Sequence, residues 1–527
     1  MSGTLTQAPK HRAASVPTIS SDPFIHLPQA PTATTPNLLR AAATAIGVLS
    51  LIAAVCVSGF AGSARAKIAT VGATDGPSVK ATEDFVFQLQ DMDAQLLNAL
   101  LANDDTDVKV PRAKSEQLYD RDRSTADGDL EAATTALAGD RQALDRLHAL
   151  TDAYGRYQAR AVRTLADDER DGGTVAGKAP QAIIEDYLAC HDILFGADDQ
   201  GGLVKAANDL EQVSAAAIDD SSAAAADSLD FVTTALVLFG LAILGALVAL
   251  QVFTTRRFHR TLSPGLAAAT LAALAFTIGG AAATAAAGHQ FQIAKSDAFN
   301  SVIALSQAKA LGSGANADES RWLLVHDNPA LQSRFESSYV AASQQLASAG
   351  PATSATGYDN SMNDMDDRFL AKRWAVESRQ DRPNGQDFLA ADLTDSGLTA
   401  HSDFGQEFQN LTFTGEADLA FTAFHDYVAY TSQDAALRHL SLATDWDLRA
   451  AVDSDTDADG VGTSDHAFAI YNDSLDKLIQ LNQDHFSTAM PAARDGIGVW
   501  TWLPYLLALL IIGATVLGIR PRLVEYR

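Results

Sequence analysis

Cysteine is nearly absent: two residues in a chain of 527 exclude a disulfide-stapled scaffold. Cys56 lies in a long apolar run and Cys190 stands alone in the polar stretch that follows, so packing must hold that stretch together. Basic residues are in deficit, with 38 Lys and Arg against 65 Asp and Glu, and a net charge of −27 argues against a nucleic-acid partner. Catalytic signatures are missing as well. There is no His-Glu-x-x-His run, no Gly-x-Ser-x-Gly elbow and no phosphate loop, and the 12 His are scattered. The expectation is a protein that is not an enzyme.

The most informative scarcity is local. Residues 41–64, 231–253, 265–288 and 498–519 contain no Asp, Glu, Lys or Arg, and each run is close to the roughly 20 residues a helix needs to span about 30 Å of hydrocarbon. Solute and ion pathways usually place charge inside such spans, so these cores carry packing information but no transport chemistry. Basic flanks give orientation, because Lys and Arg in short flanks stay cytoplasmic. Lys10, Arg12 and Arg40 precede the first run, Arg256, Arg257 and Arg260 fill the turn between the second and third, and Arg520, Arg522 and Arg527 follow the fourth. Arg65 and Lys67 dissent. The expected protein sits in the plasma membrane with both termini cytoplasmic. Ala64-Arg65-Ala66 resembles a signal-peptide cleavage site, but the apolar core before it is too long for one, so a retained anchor is expected.

Residues 1–40 and 520–527 then form cytoplasmic tails, the first read as disordered from its Pro, Ser, Thr and Ala content. Residues 254–264 form a short cytoplasmic loop, and 65–230 and 289–497 lie outside. Apolar residues in the outer segments step at helical spacing: Phe85, Leu89, Met92, Leu96 and Leu100 in one, Ala298, Val302, Leu305, Ala308 and Leu311 in the other. The fold class expected is all-α, four transmembrane helices with two tandem extracytoplasmic helical bundles. Each bundle has about four helices, the first continuing out of one span and the last into the next. Ordered matches suggest duplication: Asp93-Ala94-Gln95, Leu100-Leu101 and Asp104 align without a gap on Asn316-Ala317-Asp318, Leu323-Leu324 and Asp327. Later, Ala153-Tyr154-Gly155-Arg156-Tyr157 aligns on Ala423-Phe424-His425-Asp426-Tyr427.

Two constellations have chemical content. Asp453, Asp455, Asp457, Asp459 and Asp465 surround Gly460 with alternating carboxylates, as in the first half of a calcium loop. The twelfth position from Asp455 is His466 rather than Glu, so a solvated acidic loop is the stronger reading and calcium the alternative. Asn316, Asp318, Arg321 and Trp322 crowd a second stretch. The i, i+3 spacing of Asp318 and Arg321 is explained by a surface ion pair. The sharper reading is ligand capture, with an Arg fork for a carboxylate, an Asp for an amine and Trp322 as an apolar wall. Gly312-Ser313-Gly314 just before them reads as a joint or helix interruption.

Ser296-Asp297-Ala298-Phe299-Asn300-Ser301-Val302, the Gln307-Ala308-Lys309-Ala310 step and 315–324, together with the four-span layout, resemble the actinobacterial membrane proteins of the GlnX type. That resemblance implies a sensor. A solute-binding lipoprotein loaded with an amino acid is received outside, and a soluble kinase, protein kinase G, responds inside. The lipid bilayer and a second copy of the chain complete the set of partners considered. The competing class is an envelope scaffold or an accessory subunit of a transport or export complex.

Overall fold

The computed structural model describes residues 35–138, 141–197, 201–258, 263–377, 398–399, 401–440 and 442–524, and among them only helices and turns occur. Residues 1–34, read as most of a disordered tail, and Lys10, Arg12, Arg260 and Arg527 lie outside the described residues.

The chain begins with α1 (Thr35–Thr70), which passes through a π-helical turn (Val71–Asp75) into α2 (Gly76–Ala102). Three helices follow, α3 (Arg112–Ala136), α4 (Arg141–Asp171) and α5 (Gln181–Phe195), before the 57-residue α6 (Gly202–Phe258). The second half repeats the plan. α7 (Pro264–Leu274), α8 (Gly280–Gln292) and α9 (Asn300–Leu324) form one rod through π-helical turns at Ala275–Gly279 and Ile293–Phe299. Then come α10 (Pro329–Leu346), α11 (Ala355–Glu377), the short α12 (Asp403–Glu407), α13 (Glu416–Arg438) and α14 (Asp445–Thr456). The last rod is α15 (Ser464–Gly498), a 3-10 turn (Val499–Thr501) and α16 (Leu503–Val524). Four rods are long and apolar enough to cross a membrane, and the chain is an all-α, multi-pass membrane protein.

In the membrane bundle α1 packs on α6 and α16, and α7 packs on α6 and α16. Leu51, Ile52 and Val55 of α1, Leu238 and Leu241 of α6, Leu271 of α7 and Leu509 and Leu510 of α16 are exposed, as befits a lipid-facing surface. Small residues set the closest approaches. A Cβ on Gly265 would stand 2.6 Å from the Gly518 backbone nitrogen and 2.7 Å from the Ala514 carbonyl oxygen. Gly280 lies under Leu236 and Trp500, and Ala287 touches Gly496. Pro504 sits in the first turn of α16, where its missing N–H does no harm. The contact of Gly265 with Gly518 brings the end of α6 beside the end of α16, so Arg256, Arg257, Arg520 and Arg522 mark one end of the bundle. The dissenting cations at the other end are occupied: Lys67 Nζ donates to Ser228 Oγ at 2.7 Å and Arg65 approaches Asp495.

Beyond the membrane, α2 and α9 pack against each other at the centre. The stripe from Phe85 to Leu100 is fully buried, and Leu89, Leu96 and Leu97 share one core with Ala317, Leu323 and Leu324 of the other half. A second core is aromatic, built from Tyr358, Phe404, Phe408, Phe424, Tyr427 and Tyr471. Gly312 and Gly314 correct the sequence reading. They are no joint but lie inside the unbroken α9, because a Cβ at Gly312 would come within 2.9 Å of the Tyr471 ring and one at Gly314 within 2.3 Å of Gln90 Oε1. Glycine is there for close approach. The register that lays 93–101 on 316–324 also lays the π-helical turn 71–75 on 294–298, inside Ile293–Phe299. It lays Gly76 on Phe299, and these two touch, with 3.5 Å between a Gly76 Cβ and Phe299 Cε2.

Near the short α12, burial pushes the carboxyl of Glu407 up to about 8, and Glu416 beside it adds to the rise. Glu416 is held by the backbone N–H groups of Thr412 and Phe413, whereas the buried Glu407 has only the Ser301 hydroxyl to offset its burial. The folded chain therefore keeps a proton on Glu407 that the unfolded chain, at the ordinary Glu value near ~4.3, releases. Stability from this group is full below the unfolded value, declines as pH rises through that window, and is lost once pH exceeds about 8. Glu407→Gln should raise the unfolding temperature at pH ~8 and flatten the pH dependence, checked by thermal unfolding of detergent-solubilised protein across that range.

Candidate functional site

Three helices that run into the membrane enclose a cavity of about 320 Å³. Glu83, Val86 and Gln90 reach it from α2, Asn208, Glu211 and Gln212 from α6, and Gln307, Ala310 and Leu311 from α9, with Gln345 of α10 closing it. Each set of three is spaced three and one, or three and four, along its helix, so one face of each helix lines the space. Five carboxamides and two carboxylates supply the polar groups, and no Lys, Arg or His is among these residues. Gln307 Nε2 donates to Glu83 Oε1 at 3.1 Å. Burial and then repulsion from Glu211 push the Glu83 carboxyl well above the usual carboxylate range, and burial raises Glu211 likewise. Both residues are buried, at 3% and 8% exposure, so the pair favours one shared proton over two charges.

A second cavity of about 240 Å³ lies on the other flank of α2 and α9, against α15. In the register of the central helices, Ser306 and Lys309 stand where the first cavity has Glu83 and Val86, and Asp84, Phe87 and Gln88 where it has Gln307, Ala310 and Leu311. Asp476, Ile479 and Gln480 of α15 have the spacing of Asn208, Glu211 and Gln212 of α6. Laying the latter on the former also lays the charge-free run 231–253 on 499–521. The chemistry differs. Lys309 Nζ pairs with Asp476 Oδ1 at 2.6 Å and lies 4.5 Å from the centre of the Phe87 ring, so this cavity, which Glu83 also borders, carries its own ammonium groups, from Lys309 and Lys80.

The stretch singled out at the end of α9 is elsewhere, and the first cavity borders none of its four residues. Arg321 is 2% exposed, which corrects the surface ion pair expected from its spacing with Asp318. It bonds Asp318, but also Asp93 of α2, Nη2 to Oδ2 at 2.6 Å, and Tyr187 of α5, Nε to Oη at 2.9 Å. Tyr187 Oη in turn donates to Asp93 at 3.0 Å, and the guanidinium lies 4.8 Å from the Phe195 ring. Its neighbours radiate into other helices: Ser464 Oγ donates to Glu319, Ser320 Oγ donates to Asp455 and Trp322 carries the Arg438 guanidinium on its ring. Asn316 Oδ1 is buried and meets no donor among the described residues. These residues form a hub that ties the two halves together.

Comparison with known families bears on the half that supplies α2 and α6. Residues 67–223 match the family model of the actinobacterial sensor domain. No curated protein and no solved structure matches the chain. The sensor-domain segment runs from the end of α1 to within α6 and contains Glu83, Val86, Gln90, Asn208, Glu211 and Gln212, most of the cavity wall; the match supports a sensing role for an actinobacterial membrane protein.

The acidic loop does not converge on a point. Asp453 accepts from the Lys109 backbone N–H, Asp455 is buried against Ser320 rather than solvated, Asp457 accepts from the Asp459 N–H, and Asp465 sits in the first turn of α15. Among the described residues no group of three His, Cys, Asp or Glu side chains is placed to hold a metal ion. Sequence reasoning missed the cavity. Its available signal was Glu83 and Gln90 lying beside the Phe85–Leu100 stripe, on a helix whose neighbours on both sides are apolar.

Proposed function

We propose that the chain is a non-enzymatic transmembrane sensor, and the observation that carries this reading is the cavity whose walls are α2, α6 and α9. Each of those helices continues into a different membrane helix, so occupancy of one space bears on three spans at once. A relay needs only roughly a few kcal/mol of differential affinity between two helix arrangements. The π-helical turns at Val71–Asp75 and Ile293–Phe299, between the cavity and the bilayer, are the kind of irregular turn that shifts register at little expense. The shared register of the two halves supports their origin by duplication. In this reading both termini and the Arg256–Arg257 turn are cytoplasmic, the cavity lies outside, and a cytoplasmic partner such as a soluble kinase receives the signal. The outer input is a small ligand, delivered free or by a binding protein.

One experiment tests orientation and partner together. Cysteines at the exposed Thr353 and Thr255 should respectively accept and refuse an impermeant thiol reagent on intact cells, with the buried Cys190 silent. A photo-crosslinker at Thr255 should then capture signalling components. Labelling of Thr255 from outside, or reproducible capture of wall-synthesis or export subunits instead, replaces the sensor with the scaffold.

A further inference from the structure

We propose that the cavity between α2, α6 and α9 binds a small organic cation, its ammonium or guanidinium group seated between the carboxylates of Glu83 and Glu211. The inference rests on the sensor reading and names the chemical class that the sensor takes.

Three observations carry it. First, the wall has charge of one sign. A zwitterionic or anionic solute would need a cationic partner for its carboxylate, and none of the residues around this space supplies one. Arg321, the residue the sequence offered for that role, is engaged by Asp93, Asp318 and Tyr187.

Second, the groups are built into the interior yet left with bonding capacity. Glu83 is 3% exposed and bonds Gln307 and, through the shared proton, Glu211; Gln90 is 6% exposed and makes no hydrogen bond to the protein among the described residues. The polar atoms of both residues stay open to the cavity rather than sealed in the interior, so an occupant that displaces water from it must bond them in turn. An N–H donor in the cavity would satisfy the carboxamide oxygen and both carboxylates. A volume of about 320 Å³ lies at the lower end of small-molecule sites, roughly 300–1,000 Å³.

Third, the other half of the chain shows what fits. In the quasi-equivalent cavity Lys309 replaces Val86, and its ammonium is held by Asp476 and the Phe87 ring. That cavity is already furnished with a cation from the chain itself. In the first cavity the short Val86 leaves the corresponding space open, and no basic side chain lines it beside the two acids. Burial, and for Glu83 also repulsion from Glu211, raises the affinity of both acids for a proton, and a cationic ligand would displace the one they share.

The test is calorimetry on the full chain in lipid nanodiscs, with 1,4-diaminobutane and 4-guanidinobutylamine as probes and glutamate and glutamine as contrasts. The amines should bind, with heats that vary with the ionisation enthalpy of the buffer because protons are released. Glu83→Gln with Glu211→Gln should weaken binding at least tenfold, and its amides keep the shape of the protonated acids, so thermal unfolding should be unimpaired. Val86→Lys, which copies Lys309, should abolish binding by filling the seat. If neither amine binds, or the double variant binds as tightly as the native chain, the cation site is wrong. Binding of glutamate or glutamine that the double variant loses would overturn the cation while leaving the sensor intact. Amine binding that leaves the distance between spin labels at Thr255 and Val524 unchanged would keep the site and remove the sensor.

Discussion

Arg321→Met should destabilise the extramembrane layer by about 3–5 kcal/mol, the usual effect of removing one partner from a buried charge network. The substitution would leave Asp93 and Asp318, both at most 2% exposed, without their counter-ion, and would strip Tyr187 of the donor on its oxygen. Arg321→Lys should recover little, since one ammonium cannot reproduce a planar fork that meets Asp93, Tyr187 and Asp318 from three helices. Thermal unfolding in detergent, read separately from a membrane-helix signal, measures the difference. If Arg321→Met unfolds within a degree or two of the native protein, the hub is not what joins the halves. Removing Asp93 and Asp318 together with Arg321 should be far milder than the single change, because no charge is then left unpaired.

Gly265→Leu should disrupt the membrane bundle, where the obstacle is backbone rather than a side chain that can swing away. Even a methyl group at Gly265 meets the Gly518 nitrogen at 2.6 Å and the Ala514 oxygen at 2.7 Å. The α7 and α16 helices would have to separate. Overpacking of this kind typically costs roughly 1–3 kcal/mol, and here it also breaks the hydrogen bond from Ser263 Oγ to the Gly518 carbonyl oxygen. The expected result is a lower unfolding temperature and faster loss of protein from detergent micelles. Gly513→Leu on α16 is the control, since nothing lies within 4 Å of a Cβ there, and it should be well tolerated.

Much of the fold was legible because it depends on local composition. Runs without charge mark the spans, and an apolar stripe at helical spacing marks α2 as buried on at least one side. What could not be read was the identity of partners far away in sequence. Asp318 and Arg321 announce each other by spacing, but Asp93 and Tyr187 lie 228 and 134 positions from Arg321. A pair read as solvated was therefore a buried hub. Gly312 and Gly314 were misread for a related reason: glycine serves loops and close helix contacts alike, and only Tyr471 and Gln90 pressing on the helix decide between them. The cavity was hidden twice. Single Glu and Gln residues in a helix resemble a wet face, and the internal match was visible at 93–101, beyond the turns where Glu83 meets Gln307.

The two cavities flanking α2 and α9 are matched in position and unmatched in content. A perfectly paired molecule with two identical seats would respond to a full load by expanding evenly about its axis, and nothing would tilt. Here one cavity, on the α15 side, already holds the Lys309 ammonium, and the other, on the α6 side, has no basic residue in its wall. In the proposed sensor, a push from an occupant of the first cavity would act off the axis of the helix pair. Force applied that way becomes torque, and the natural response of four long rods is to rock rather than to slide. The difference between the two cavities thus gives the molecule a direction.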